Sequence, residues 1–329
     1  MKSHMYGLFE ETAPKLIIYF LSAISIALIL FIFVFVFWRA MPVIQESGAS
    51  LLIEGGFDRQ MNQAVNQAFF SPDEEPSLHF GFLGLILGTL ATTLSALLFA
   101  SLIGIGSAVV ITEYAAGKAA SLLKSIVRLL ASIPSVVFGL IGIITIVPFI
   151  ERLFVTVDLQ IEYIDYFYMS GRNLLSASVV LTFMIVPMVI SLSADAINAV
   201  PQMYRETGYA FGMSKFRVIY KIVLPSARSG IIAGVILGAG RGIGEAIAVS
   251  MVCGSIGLLP NPAFGFINFL APTLPLAPAI VNKSESIGLF APESALFTCA
   301  ALLLTIGAIL SICAKQTERY MRKTAGYDK

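Results

Sequence analysis

Apolar runs broken by short charged stretches dominate this chain. Six of them hold about 20 residues, few or none charged, which is the length a helix needs to cross the hydrocarbon of a bilayer. They cover residues 16–38, 80–112, 129–150, 173–194, 229–253 and 294–314. The pattern predicts an all-α, polytopic membrane protein with six transmembrane helices. The first run is too long for a signal-peptide core and no small-residue cleavage site follows it, so it is expected to remain as a first helix. The second exceeds a single span, so its start is expected to tilt or to lie at an interface. Two long connections separate the runs. Residues 39–79 are polar and carry Asp73, Glu74 and Glu75, and residues 254–293 carry Pro260, Pro262, Pro272, Pro275, Pro278 and Pro292. That density of proline excludes a straight helix and predicts short helices and turns against one mouth of the bundle. No internal repeat is apparent.

Composition sharpens this picture. The chain is 57% hydrophobic and 12% charged, with a mean hydropathy of +0.87. A water-facing domain carries about 25% charged residues, so the bilayer is the solvent for most of this protein. A net charge of +1 provides no basic field for nucleic acid. The cysteines, Cys253, Cys299 and Cys313, are odd in number and widely spaced, which argues against a disulfide framework or a zinc site. His4 and His79 lie far apart, and no metal or cofactor site is expected in this chain.

Six spans put both termini on one side, and lysine and arginine say which. Leaving aside Arg241 within the fifth run, one set of loops holds only Arg39, Arg59, Arg152, Arg172 and Lys283, and every other basic residue falls on the opposite side. The positive-inside rule places both termini in the cytoplasm. Trp38, Tyr163, Tyr166 and Tyr168 are then expected near the outer interface, where amphipathic rings settle.

The connection between the fourth and fifth runs reads ETGYAFGMSKFRVIYKIVLP, residues 206–225. A short helix near 203–211 is expected to end at Gly212, a residue suited to a left-handed cap. Ser214 is placed to cap a second helix leading through Pro225 into the fifth span. The result is a helix–turn–helix along the membrane surface that a partner can grip. The segment resembles the signature cytoplasmic loop of binding-protein-dependent ABC importers: E-A-A, three residues, G, nine residues, I-x-L-P. Glu206, Gly212, Ile222, Leu224 and Pro225 match without insertion or deletion, while Thr207 and Gly208 replace the two alanines. The glycine costs about 1 kcal/mol of helix propensity relative to alanine. The resemblance implies that this loop docks on a separate ATP-hydrolysing subunit. The chain has no G-x-x-x-x-G-K-[ST] phosphate loop, Gly117-Lys118 being its only Gly-Lys pair. It is therefore expected to be no enzyme itself, ATP and Mg being handled by the partner.

The fifth run carries Gly230, Gly234, Gly238 and Gly242 at four-residue intervals, a small ridge suited to close helix packing. Arg241 and Glu245 are also four apart and, on one helix, share a face. Charges within a span are costly and face an interior or a wet cavity. Two readings stand: the pair neutralise one another and hold the helix, or they line a path for an anion, Arg241 offering a planar fork of donors and Glu245 keeping it oriented. The segment GAGRGIGEAIAV, with Arg241, Gly244 and Glu245 as R-x-x-G-E, resembles phosphate-importer permeases, as does RLLASIPSVVFGL at 128–140. The IPSVVFG and AIAV forms resemble the C-type permease more than its A-type partner. The resemblance implies a type I ABC-importer permease core at 80–314. Residues 1–79 then form an added N-terminal helix with its extracytoplasmic segment, and 315–329 a cytoplasmic tail. It implies a bacterial inner membrane, an A-type second permease, two ATP-binding subunits and an extracytoplasmic phosphate-binding protein. Ser135, after Pro134, is a further candidate for the path or for a backbone-directed hydroxyl. Glu113 is expected as a solvated cap, and Asn173, Asp195 and Asn198 as helix ends. Alternatives are a permease for sulfate, molybdate, phosphonate or another nutrient, and an ion-coupled transporter, which leaves the 206–225 loop unexplained.

Overall fold

The apolar runs fold as helices, and small residues set how closely they meet. The computed structural model describes residues 2–324 apart from 72 and 74, with side chains from 15 to 317 other than 16 and 262. In chain order the helices are α1 (Lys2–Ser47), α2 (Phe57–Phe70), α3 (Leu83–Tyr114), α4 (Gly117–Ser132), α5 (Ser135–Phe154) and α6 (Leu174–Asn198). They continue with α7 (Gln202–Ala210), α8 (Lys215–Gly244), α9 (Ile247–Val252), α10 (Leu276–Asn282) and α11 (Phe290–Thr324). Among the described residues α1, α3, α5, α6, α8 and α11 are the six long and apolar enough to cross a membrane, and the architecture is all-α.

The centre is α6, with 67% of its span window buried against 6% for α1. It starts cleanly because Asn173 Oδ1 accepts from Ser176 N at 2.9 Å, a side-chain cap worth about 1 kcal/mol. Helices α3 and α8 pack along it. On α3 the buried Gly84, Gly88, Thr92, Ala96, Ala100, Gly104 and Ala108 recur every four residues. A Cβ added at Gly104 would stand 2.7 Å from Val189 Cγ1 of α6, so nothing larger than hydrogen fits there. In a bilayer, where apolar surface alone drives no helix together, such close approach supplies the dispersion contacts that do.

Helix α1 joins the bundle towards its end, where Val36 and Ala40 pack beside Ala301 of α11. The contact is reinforced by Ser294 Oγ donating to Arg39 O at 3.0 Å and by an Arg39–Glu293 ion pair. Helix α2 buries Phe57, Met61 and Ala64 in the cluster that also holds Leu274, Leu276 and Leu296. Asp58 Oδ2 accepts from Gly257 N at 2.6 Å, tying α2 to the proline-rich segment. That segment is the expected run of short helices and turns. Thr89 Oγ1 of α3 accepts from Leu276 N at 2.9 Å, satisfying a free N–H at the start of α10. At the bundle end remote from the 206–225 loop, Tyr163, Tyr166 and Phe167 close around Phe264, ring centres 5.1 to 6.3 Å apart.

Several boundaries differ from expectation. The third span begins at Ser135, not 129, because residues 117–132 form the separate amphipathic α4. Pro134 forces the break: its ring pushes Ile133 to an extended ψ of 128°. The second span starts at Leu83, and Phe80 and Phe82 are a buried, non-helical lead-in. The fifth starts at Lys215 and ends at Gly244, well short of 253. Helices α1 and α11 run on to Ser47 and Thr324.

Candidate functional site

The 206–225 loop is built as a helix, a tight reversal and a second helix. Helix α7 ends in a complete pair of capping bonds: Gly212 N donates to Tyr209 O at 2.9 Å and Met213 N to Gly208 O at 3.2 Å. Gly212 sits at φ +71°, where a side chain would cost about 1–2 kcal/mol. Ser214 occupies the N-cap of α8 as expected, but its side chain makes no capping bond. Gly208, the departure from the family's alanine, is buried where α7 meets α8. A Cβ there would stand 2.7 Å from Ile222 Cδ1 and 2.9 Å from Val218 Cγ2. The small residue and Ile222 thus meet in space, which gives their fixed offset in the sequence a physical meaning. Before Pro225 the backbone widens into a π-turn over Ile219–Val223, with Leu224 N donating to Ile219 O. Pro225 has no N–H to donate the ordinary α-helical bond at the next position, and the wider turn accommodates it. Glu206 and Thr207 are exposed, as are Met203, Phe211, Phe216 and Tyr220, so the outer side of the loop mixes a carboxylate with apolar anchors.

The loop is fastened to the bundle by residues that spacing did not single out. Arg205 donates from Nε and Nη2 to Glu113 Oε1 at 3.1 and 2.8 Å. It also donates to Val200 O at 2.7 Å and Ile197 O at 3.0 Å. Only 7% of the Glu113 side chain is exposed, so this residue is a buried partner and not the solvated cap expected. A π-turn over Val110–Tyr114 presents it. Lys215 Nζ, at the start of α8, lies 4.7 Å from the Tyr114 ring centre. The available signal was that Glu113 closes a charge-free run longer than any span needs, a costly place for a carboxylate without a partner.

In the fifth span the four glycines face α6. A Cβ at Gly230 would stand 2.6 Å from Ala196 Cβ, at Gly234 2.8 Å from Leu192 Cβ, and at Gly238 2.9 Å from Ile185 Cγ2. At Gly242 the nearest atom, Ile185 Cδ1, would be at 3.1 Å. Leu237, Gly240 and Gly244 are exposed on the face α6 does not cover, and added Cβ atoms at the two glycines would meet nothing within 4 Å. Arg241 is half-buried in the last turn of α8. Glu245 lies beyond the helix, its backbone extended at ψ 109°.

The expected pairing of the two charges is therefore corrected: among the described residues they form no ion pair. Glu245 Oε1 instead accepts from Ala248 N at 3.4 Å, in the first turn of α9. Each charge sits at the helix end that suits it, a cation beside free carbonyls and a carboxylate beside free N–H groups. Glycines at 240, 242 and 244 lower the cost of breaking the helix here, at about 1 kcal/mol of propensity each. Helix α5 packs along α9, with Gly139 against Ala248 and Met251 and Gly142 against Val252. Ser135 opens α5 one turn earlier, is half-buried, and makes no hydrogen bond to Arg241 or Glu245 among the described residues.

Comparison with known proteins bears on this arrangement. Residues 100–323 match the family described as binding-protein-dependent transport system inner membrane component. The probable ABC transporter permease protein YqgH of Bacillus subtilis is 36% identical over 58% of this chain and 58% of its own length. The phosphate transport system permease protein PstC 1 of Mycobacterium tuberculosis is 33% identical over 75% of each chain. PstC of Haemophilus influenzae is 29% identical over 97% of this chain and 95% of its own. A chain of the inward-facing MetNI methionine ABC transporter superposes with a TM-score of 0.51 at 16% identity, covering 72% of this chain and 94% of that one, a likeness of fold alone.

Proposed function

The chain belongs to the family of binding-protein-dependent transport system inner membrane components, and on that footing we propose that it forms half of the translocation path of an ATP-driven phosphate importer. It is a multi-pass membrane protein and a transport component, not a catalyst. The observation that carries the substrate reading is Arg241: a half-buried guanidinium with no ion-pair partner among the described residues, beside the exposed Leu237, Gly240 and Gly244 of α8. Turned towards lipid, such a charge would cost about 2.5–3.5 kcal/mol on insertion scales. Its place is better explained by a wet or protein-lined space in which an oxyanion supplies the missing partner. A guanidinium meets two phosphate oxygens at once, which favours a tetrahedral oxyanion over a spherical ion. Glu245 starts α9 and holds the break open beside it. Ser135, at the start of the helix packed along α9, is a second polar group for the same path.

Moving an anion inwards against the membrane potential costs about 2.3 kcal/mol per charge per 100 mV. That work is assigned to two ATP-binding subunits docked on the outer side of the 206–225 loop, through Glu206, Thr207 and the exposed Met203 and Phe211. ATP and Mg belong to those subunits. The basic loops support cytoplasmic termini, an A-type permease chain would complete the path, and an external binding protein would deliver phosphate. The permease core is assigned to 80–314, with 1–79 added at its flank and 315–329 as a tail. The test is uptake of labelled phosphate into cells carrying Arg241→Gln or Arg241→Lys, with complex assembly followed by co-purification of the ATPase. Uptake is expected to vanish in the glutamine variant and to fall in the lysine one, with assembly intact. Normal phosphate uptake by well-expressed Arg241→Gln would remove Arg241 from the path.

A further inference from the structure

Arg205 and Glu113 stand out from the other ion pairs of the bundle. Among the described residues their side chains are 11% and 7% exposed, while those of Lys283–Asp58 are 24% and 25% exposed and Arg39–Glu293 and His79–Glu54 each have at least one largely exposed member. The pair joins three elements at one point. Glu113 belongs to the π-turn that ends α3, Arg205 to α7, and the carbonyls of Ile197 and Val200, which take two further Arg205 bonds, to the end of α6 and the turn after it. A second clasp lies beside it, Lys215 over the Tyr114 ring. The loop is thereby held on both of its arms by neighbouring residues of α3. Within the loop itself, Gly208 of α7 packs against Val218 and Ile222 of α8, so its two arms are joined to each other.

We propose that the Arg205–Glu113 pair is the strut that makes the 206–225 loop move as one body with the inner ends of α3 and α6, so that displacement of the loop turns those spans instead of bending the loop. The inference rests on the reading of the loop as the ATPase dock. Its physical basis is directional. Charge-assisted bonds from a planar guanidinium fix orientation as well as distance, and breaking one member leaves the other charge buried without a partner. Glu113 and Arg205 are positioning residues: neither is assigned to touch ATP or the transported anion.

The test uses the complete importer with its ATPase and binding protein, in proteoliposomes, and reads phosphate transported per ATP hydrolysed. A purely structural defect lowers transport and hydrolysis together and leaves that ratio unchanged. Glu113→Gln is expected to lower the ratio by about tenfold, within the range of typical coupling between sites. Because a buried charge left alone can prevent assembly, the doubly reversed variant Glu113→Arg with Arg205→Glu is measured beside it, and so is the neutral pair Glu113→Gln with Arg205→Met. Recovery of the ratio by the reversed pair, and its continued loss in an assembled neutral pair, supports the strut. A wild-type ratio in the assembled neutral pair overturns it. Wild-type importer that takes up no phosphate on ATP hydrolysis overturns the functional reading itself, a failure visible before any variant is made.

Discussion

Two glycines of one helix, six residues apart, are expected to respond oppositely to the same added methyl group. Gly234 faces α6, and a Cβ there would stand 2.8 Å from Leu192 Cβ, an atom held by its own backbone with no rotamer to retreat into. Carbon atoms rest at about 3.5–4.0 Å, so the helices must part locally by about 1 Å. Overpacking of this kind costs about 1–3 kcal/mol, offset by about 1 kcal/mol of propensity on replacing glycine with alanine. The net is a loss of about 0–2 kcal/mol at Gly234. At Gly240 the added Cβ meets nothing within 4 Å, so only the gain of about 1 kcal/mol remains. Gly234→Ala should therefore be about 1–3 kcal/mol less stable than Gly240→Ala. The assay is thermal unfolding of each variant in one detergent, where that gap corresponds to several degrees. Gly230→Ala, facing Ala196 Cβ at 2.6 Å, should behave like Gly234→Ala. The double variant should lose less than the sum, because one outward shift relieves both contacts. Equal melting temperatures for Gly234→Ala and Gly240→Ala would refute the packing role of the ridge.

Three further outcomes follow from the same geometry. Gly212→Ala places a side chain at φ +71°, a strain of about 1–2 kcal/mol; ATPase co-purification should weaken several-fold while the bundle's melting temperature hardly moves. Asp58→Ala removes the acceptor of Gly257 N and the Lys283 contact at 3.7 Å; with the carboxylate part-exposed, a loss of about 1–2 kcal/mol should appear as a lower melting temperature. Glu245→Gln keeps an acceptor for Ala248 N and should retain most of the uptake, whereas Glu245→Leu should abolish it; equal loss in both would show that the charge, not the cap, matters.

The spans were legible because a bilayer demands long charge-free helices, and the 206–225 loop because its turn needs glycine at 212 and its spacing sets 208 against 222. The helix break at Gly244 was not. Glycines at 238 and 242 read as a packing ridge, and Gly242, which faces α6, is also one of the glycines that let α8 end before Glu245. Period-four spacing of Arg241 and Glu245 implied a shared face only on an unbroken helix. The α3 ridge from Gly84 to Ala108 was hidden by the hydrophobic bulk around it, since a run apolar on all sides shows length before it shows faces. Glu113 and Arg205 are 92 positions apart, and no local pattern announces a pair formed by the fold. The start of α5 at Ser135 was also missed, the expected span beginning at 129, although Pro134 stood there as its local signal.

The central claim is that this chain passes phosphate inwards on another subunit's ATP. Its gene would be removed from its host, the cells starved of phosphate, and labelled phosphate uptake followed with and without the restored protein, alongside sulfate and molybdate. The account predicts uptake of phosphate alone, restored by this chain and lost when the cognate ATPase is disabled. Phosphate uptake that persists without that ATPase, or restoration of sulfate or molybdate in its place, would contradict it.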